Sequence, residues 1–218
     1  MTRKLVIFDV DGTLVDSQRH ILAAMDGAFG ALGLSVPPRA QVLGIVGLSL
    51  PVAMAKLAPE LDAQAQARLV AAYKDAFTAE RAAALSPLYP GAAAALDALA
   101  QADGVVLAIA TGKSRRGLDQ LVAAHGWDGR FASMQVADDH PSKPHPSMIA
   151  ACLRDTGIAP AQAVMVGDTR FDMDMALAAG VAGLGVSWGY HPAASLGPRV
   201  IDSFDALPSA LAEIWGTA

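Results

Sequence analysis

Short apolar runs of strand length recur along this chain, bounded by acidic or glycine residues: Leu5–Phe8, Val105–Ala110, Ala163–Val166 and Gly183–Ser187. Ala132–Val136 is a weaker run and Val200–Ile201 a stub. Helical patterns lie between them. Gly91–Ala102 is rich in Ala and Leu behind Pro90, and Ser114 can cap a helix running to about His125 and ended by Gly126. Pro146–Thr156 ends at Gly157, and Phe171–Ala179 ends at Gly180. Strands alternating with helices predict an α/β fold, with a Rossmann-like core built on a largely parallel sheet.

Residues 17 to 86 break that alternation. Ala, Gln, Leu and Met dominate there, and strand signals are scarce. Residues 62–84 form one long helical pattern with Leu69, Tyr73 and Phe77 at four-residue spacing. Residues 17–33 form a second, and residues 49–58 a third, with Ser49 or Leu50 as cap and Pro51 in the first turn. The reading is a small α-helical unit, residues 17–86, inserted into a core of residues 1–16 and 87–218. Pro37-Pro38 punctuates the insertion and Pro87 and Pro90 close it.

Composition narrows the partners. The 218 residues are 53% hydrophobic and 17% charged, which suits a globular chain with a substantial core. A formal net charge of −5 speaks against a nucleic-acid surface. The uncharged stretch Met175–Pro198 has the length of a membrane span. Its glycines at 180, 183, 185, 189 and 197, with Pro192, would break such a helix, so it reads as a helix end, a buried strand and a loop. Only four apolar residues precede Asp9, too few for a secretory signal of roughly 7–15. Cys152 is the single cysteine and sits in a helical pattern, which predicts a buried inert thiol and a reducing, cytoplasmic setting.

Four places carry candidate chemistry. The first strand ends at Asp9, and Asp11 two residues on points the same way about 6.6 Å along extended chain. Gly12 then allows a sharp turn. A turn that merely ends a strand is the plainer alternative. In "AIATGKS" (108–114), Thr111 offers a hydroxyl and Gly112 a bare amide, both anion donors at a strand end, or else an ordinary helix start. In "PSKPHPSM" (141–148), Lys143 sits between prolines that restrict it, unless it is a solvated loop charge. His140 and His145 nearby are expected in surface or capping roles. In "AVMVGDTRFDMDMALAAG" (163–180), Asp168 ends a strand, and Asp172 lies in the first helical turn, where the dipole favours acid. Asp168 could instead be only that helix's cap.

Taken jointly, these strand ends belong together, because open parallel sheets bind ligands beyond the carboxyl ends of their strands. Asp9, Asp11, Asp168 and Asp172 crowded into one crevice would repel unless a cation intervened. A hard divalent ion with oxygen ligands, Mg²⁺, answers that need together with Lys143.

These motifs, "DVDGT" (9–13), "ATGK" with Thr111, "SKPHP" with Lys143 and "GDTRFD" with Asp168 and Asp172, resemble in order those of the haloacid dehalogenase superfamily. "DVDGTLVDS", "YPGA" (89–92) and "DTRFDMDMALAAG" look most like its phosphoglycolate phosphatase group. The resemblance implies that residues 17–86 are a helical cap and that the activity is hydrolysis of a small phosphate monoester. It implies Asp9 as nucleophile, forming an aspartyl-phosphate, and Asp11 as the acid and base beside it. Thr111 and the Gly112 amide would hold phosphoryl oxygens. Lys143, rather than Lys113, would steady Asp9 and the developing charge. Mg²⁺ would be held by Asp168, the Asp9 side chain and the Asp11 carbonyl, with Asp172 acting through water or orienting Lys143. The implied partner is a small phosphorylated metabolite of the cytoplasm, with neither nucleic acid nor membrane involved, and the chain a monomer or homodimer. Arg39 or Lys56 could reach a substrate carboxylate. A phosphomutase shares this core chemistry and stays open as an alternative, as does a non-catalytic phosphate-binding module. A dehalogenase does not fit, because that activity has no carboxylic acid at the position of Asp11. Neither Lys56 nor Lys74 lies in the motif of a phosphonate hydrolase's Schiff-base lysine. Monoester hydrolysis can demand ~10²¹-fold acceleration and one acid–base group supplies about 10²–10⁴, so all these parts are required.

Overall fold

Leu5, Val6, Ile7 and Phe8 are all fully buried, and their alternation explains how. They form β1 (Lys4–Phe8), the third strand of a six-stranded sheet in a computed structural model that describes residues 2–216. Successive side chains of a strand point to opposite faces, so a strand covered on both sides is apolar throughout.

Following β1, the chain forms α1 (Gln18–Ala31), α2 (Arg39–Leu43), α3 (Leu50–Leu57) and α4 (Ala63–Ala83). It then runs α5 (Ala92–Gln101), β2 (Val105–Thr111), α6 (Arg115–His125), β3 (Ser133–Val136) and α7 (Ser147–Thr156). It finishes with β4 (Ala163–Gly167), α8 (Arg170–Ala178), β5 (Ala182–Val186), β6 (Val200–Ile201) and α9 (Leu207–Ile214). The strand order is β3-β2-β1-β4-β5-β6, every pair parallel. Val6 and Phe8 pack with Leu96 of α5, Leu118 of α6 and Leu211 of α9. Leu5 and Ile7 pack on the other face with Met148 and Cys152 of α7 and Met175 of α8. The expected Rossmann-like α/β architecture is therefore the observed one. The Cys152 thiol is buried, and burial pushes its pKa up to about 12. The stretch after Met175 is the end of α8, then β5, then loop, as its glycines imply. Among the described residues no helix is long and apolar enough to cross a membrane.

Helices α1 to α4 bury a cluster of their own: Ile21, Met25 and Phe29 of α1, Val42 of α2, Met54 of α3 and Leu69 of α4. The five-residue α2 is absent from the sequence reading, being too short after Pro38 to show a periodicity. The chain leaves the sheet through residues 14–17 and returns through residues 86–89. The two passages pair with each other: Asp16 N donates to Pro87 O (2.9 Å) and Tyr89 N to Leu14 O (3.0 Å).

Candidate active site

The sheet order reverses at the β1–β4 boundary, and a crevice outside the carboxyl ends of such strands is the expected ligand position. Asp9 follows β1 and Asp168 follows β4, and both are buried. One oxygen each from Asp9, Asp168 and Asp172 lies within 4.8 Å of the others, so three acidic residues far apart in sequence do meet.

Each carboxylate is fixed by its own partners. Asp9 Oδ1 accepts from the Val10 amide at 2.7 Å. Asp9 Oδ2 stands 2.9 Å from Lys143 Nζ in a buried ion pair. Asp168 accepts from Thr13 Oγ1 (2.8 Å) and the Tyr190 amide (2.9 Å). Gly12, at φ 84°, passes so close that a Cβ there would lie 2.2 Å from Asp168 Oδ2, so only glycine fits. The helix cap of α8 is Thr169 rather than Asp168. Asp172 completes that capping box through Oδ2, accepting from Thr169 N (3.0 Å) and Thr169 Oγ1 (2.6 Å). Its Oδ1 is left to accept from Lys143 Nζ at 2.7 Å.

Lys143 is no solvated loop charge. Its side chain is 0% exposed and lies between Asp172 and Asp9. Burial alone would lower its pKa, but the two carboxylates outweigh that and hold it protonated above its usual range. One ammonium does not neutralise three acids. Burial, reinforced by the charge of Asp172, pushes Asp9 up to about 7 against the pull of Lys143. Asp168 is raised well above the ordinary carboxylate range by burial and by its two acidic neighbours. A buried cluster of hard oxygen donors with one ammonium among three acids is short of positive charge and fits a divalent cation.

Asp11 turns elsewhere. Its carboxylate takes both oxygens to Lys113 Nζ (2.9 and 2.8 Å) and accepts from Ser17 Oγ (2.6 Å), so its side chain lies outside the three-acid cluster. Thr111 ends β2 and is buried, and its hydroxyl accepts from the Lys113 amide at 3.3 Å. Asp9, Asp11, Thr111 and Gly112 line a cleft of about 620 Å³ between the strand ends and helices α1, α3 and α4. Lys143, Asp168 and Asp172 stand behind Asp9, away from that cleft's walls.

Sequence reasoning missed Thr13, Ser17, Lys113 and the Tyr190 amide. Thr13 and Lys113 lie inside the motifs quoted above, but no local pattern names their partners, and a backbone donor from a Gly-containing loop carries no side-chain signal. His140 bonds Ser147 and Gln135, each at 2.8 Å, and His145 accepts from the Ser147 amide at 3.2 Å, so both hold the start of α7.

Gly112 sets how closely the helical insertion can approach. A Cβ on it would lie 2.5 Å from Gly47 O and 2.9 Å from Leu48 O, both backbone atoms. Gly112→Ala should push the 47–48 segment off the strand ends and lower kcat/KM for any ester ~10–100-fold, since displacements near 1 Å cost this much. Steady-state kinetics, with hydrogen exchange across residues 44–50, measures it. Unchanged exchange and kinetics would show that this contact is not needed.

Acids at the ends of β1 and β4, a hydroxyl at the end of β2 and a buried lysine thus gather at one edge of the sheet as a candidate active site. The haloacid dehalogenase-like hydrolase family model matches residues 6–186, and the chain belongs to that family. It is 35% identical over 217 residues to "Probable phosphatase IndB" of Dickeya dadantii, covering 95% of this chain and 93% of that one. It is 33% identical over 200 residues to a phosphoglycolate phosphatase of Vibrio cholerae, covering 86% of each. A crystal structure of a predicted phosphoglycolate phosphatase from Haemophilus somnus superimposes with a TM-score of 0.84 at 26% identity, over 96% of this chain and 98% of that one. Within the family the chain is a phosphoric monoester hydrolase.

Proposed function

We propose that the protein is a Mg²⁺-dependent phosphatase of the cytoplasm that hydrolyses a small phosphorylated metabolite through an aspartyl-phosphate on Asp9. The single observation that carries this reading is the convergence of Asp9, Asp168 and Asp172 on one buried point beside Lys143. Asp9 attacks phosphorus, forming the Asp9 O–P bond as the ester P–O bond breaks. Asp11 turns from Lys113 and Ser17 to give the leaving oxygen a proton. It then takes one from the water whose oxygen replaces Asp9 on phosphorus. The Thr111 hydroxyl and the Gly112 amide hold phosphoryl oxygens, and the Lys143 ammonium restrains Asp9 and offsets the charge that develops there. Asp172 orients Lys143, consistent with the 2.7 Å bond between them. Asp9, Asp168 and the Asp11 carbonyl would hold Mg²⁺, which supplies further positive charge to the phosphoryl group. Residues 17–86 act as a cap on the core of residues 1–16 and 87–218, and exclude water.

The test is a phosphate-release screen over small phosphate esters, with phosphate balance followed to separate hydrolysis from transfer to a second hydroxyl. Chelation should stop release and Mg²⁺ restore it; full activity in excess chelator would end the metal assignment. A pH signature accompanies it. Asp9 and Asp168 titrate above their ordinary range in the metal-free fold. The folded state therefore binds protons the unfolded chain has lost. That contribution to stability is complete below the ordinary carboxylate pKa and fades as pH rises through about 7. Added Mg²⁺ must displace those protons, so it should raise the melting temperature more at pH 8 than at pH 5.5. An equal or opposite shift, read by thermal denaturation, would contradict the cluster as the metal's seat.

A further inference from the structure

The position of the leaving group is set by Asp11, and the cleft beside it carries an apolar shelf among the cations Lys113, Arg81, Lys74 and Arg116. Tyr73 and Phe77 of α4 stack with centroids 5.7 Å apart and planes 25° apart, and both line the cleft with Ile21, Met25 and Leu48. The shelf begins at the acid itself. Lys113, whose Nζ holds both Asp11 oxygens, stands 5.1 Å from the centre of the Phe77 ring. An alcohol leaving phosphorus beside Asp11 therefore emerges against stacked rings.

The space is also large. A cleft of about 620 Å³ equals the liquid volume of roughly twenty waters at about 30 Å³ each. A two-carbon acid such as glycolate would leave most of it wet. Its carboxylate would have to draw on Lys74, Arg81 or Arg116, and Arg81 is already bound to Gln120 Oε1 (2.8 Å) and Gly117 O (3.4 Å). Residues 44–49, which join α2 to α3, include no basic residue, and neither Arg39 nor Lys56 lines the cleft. The Lys56 ammonium instead lies 5.4 Å from the ring centre of Phe171. Lys113 enters the reaction paired with both Asp11 oxygens and set against the Phe77 ring.

We infer that the ester this site takes has a ring-sized alcohol half whose apolar face lies on Tyr73 and Phe77. This rests on the phosphatase reading above and narrows it to a substrate class. The rim offers Lys74 and Arg116, exposed cations beside which polar substituents of that alcohol remain in water.

The test uses the full chain with Mg²⁺ and compares benzyl phosphate with ethyl phosphate and phosphoglycolate. Benzyl alcohol and ethanol are similar in acidity, so P–O cleavage is equally demanding and the ratio reports fit. Benzyl phosphate should exceed each of the other two by ~10–100-fold in kcat/KM, the range that apolar pocket contacts supply. Phe77→Ala should cut the benzyl-to-ethyl ratio ~10-fold or more. Ethyl phosphate registers any loss transmitted through Lys113, and Phe77→Leu serves if the alanine variant does not fold. Equal or lower kcat/KM for benzyl phosphate, or a ratio unmoved by both variants, overturns the inference and leaves the phosphatase reading standing. No phosphate from any of the three, nor from p-nitrophenyl phosphate, overturns the phosphatase reading itself.

Discussion

Asp9→Asn is expected to lower phosphate release from p-nitrophenyl phosphate by on the order of 10⁴–10⁶-fold, the scale of losing a nucleophile that works as part of a unit. The amide keeps the shape of the carboxylate, and its carbonyl can still accept from Val10 N, so the fold should persist. Stability should move the opposite way to activity. Asp9 titrates at about 7 in the metal-free fold because burial and Asp172 oppose its charge. Asparagine has no charge to oppose. The metal-free variant should therefore match the parent below about pH 4 and exceed it in melting temperature by a margin that grows up to about pH 7 and then levels off. Turnover within tenfold of the parent would end the assignment of Asp9 as nucleophile. A variant less stable than the parent at pH 8 would contradict the electrostatic account of the buried cluster.

Lys143→Ala should fail on both counts. It removes the ammonium that lies between Asp9 and Asp172, both of which stay buried. Removing one partner of a buried pair costs about 3–5 kcal/mol, largely because the other charge is left uncompensated. Activity should drop at least ~10³-fold, with Mg²⁺ recovering part of the stability but not the rate. Lys113→Ala should cost less, and its loss should trace to Asp11, which it holds by both oxygens. Denaturant midpoints and single-turnover rates of the two variants separate the roles. Equal losses would mean that Lys143 is not the lysine the chemistry depends on.

Much of this site was legible because strand ends leave sharp marks. A fully apolar run broken by Asp9 or Asp168 tells where the chain exits a covered sheet, and parallel topology then brings those exits to one edge. Lys143 was legible by its proline neighbours, although its depth was not. What stayed hidden depends on distances between side chains that no local pattern encodes. Asp9 and Asp11 share a strand-like spacing, yet Gly12 turns the backbone and Asp11 swings to Lys113 and Ser17. The alternative that Asp168 only caps α8 was undone by Thr169, which takes that duty and frees Asp168 for Thr13 and the Tyr190 amide. In the helical insertion the repeat of Leu69, Tyr73 and Phe77 gave α4 correctly. It could not show that Leu69 is sealed inside while the two aromatic rings stay partly open to the cleft.

Asp172 binds two things with one carboxyl group: the opening turn of α8 through one oxygen and the ammonium of Lys143 through the other. The secondary structure and the proposed reaction centre are thereby soldered at a single joint. Sequence drift at this position cannot retune reactivity while sparing the scaffold, nor shore up the scaffold while sparing reactivity. Any engineer wishing to alter the charge around the nucleophile would do better to work from the Asp11 side, where the supporting contacts carry no helix.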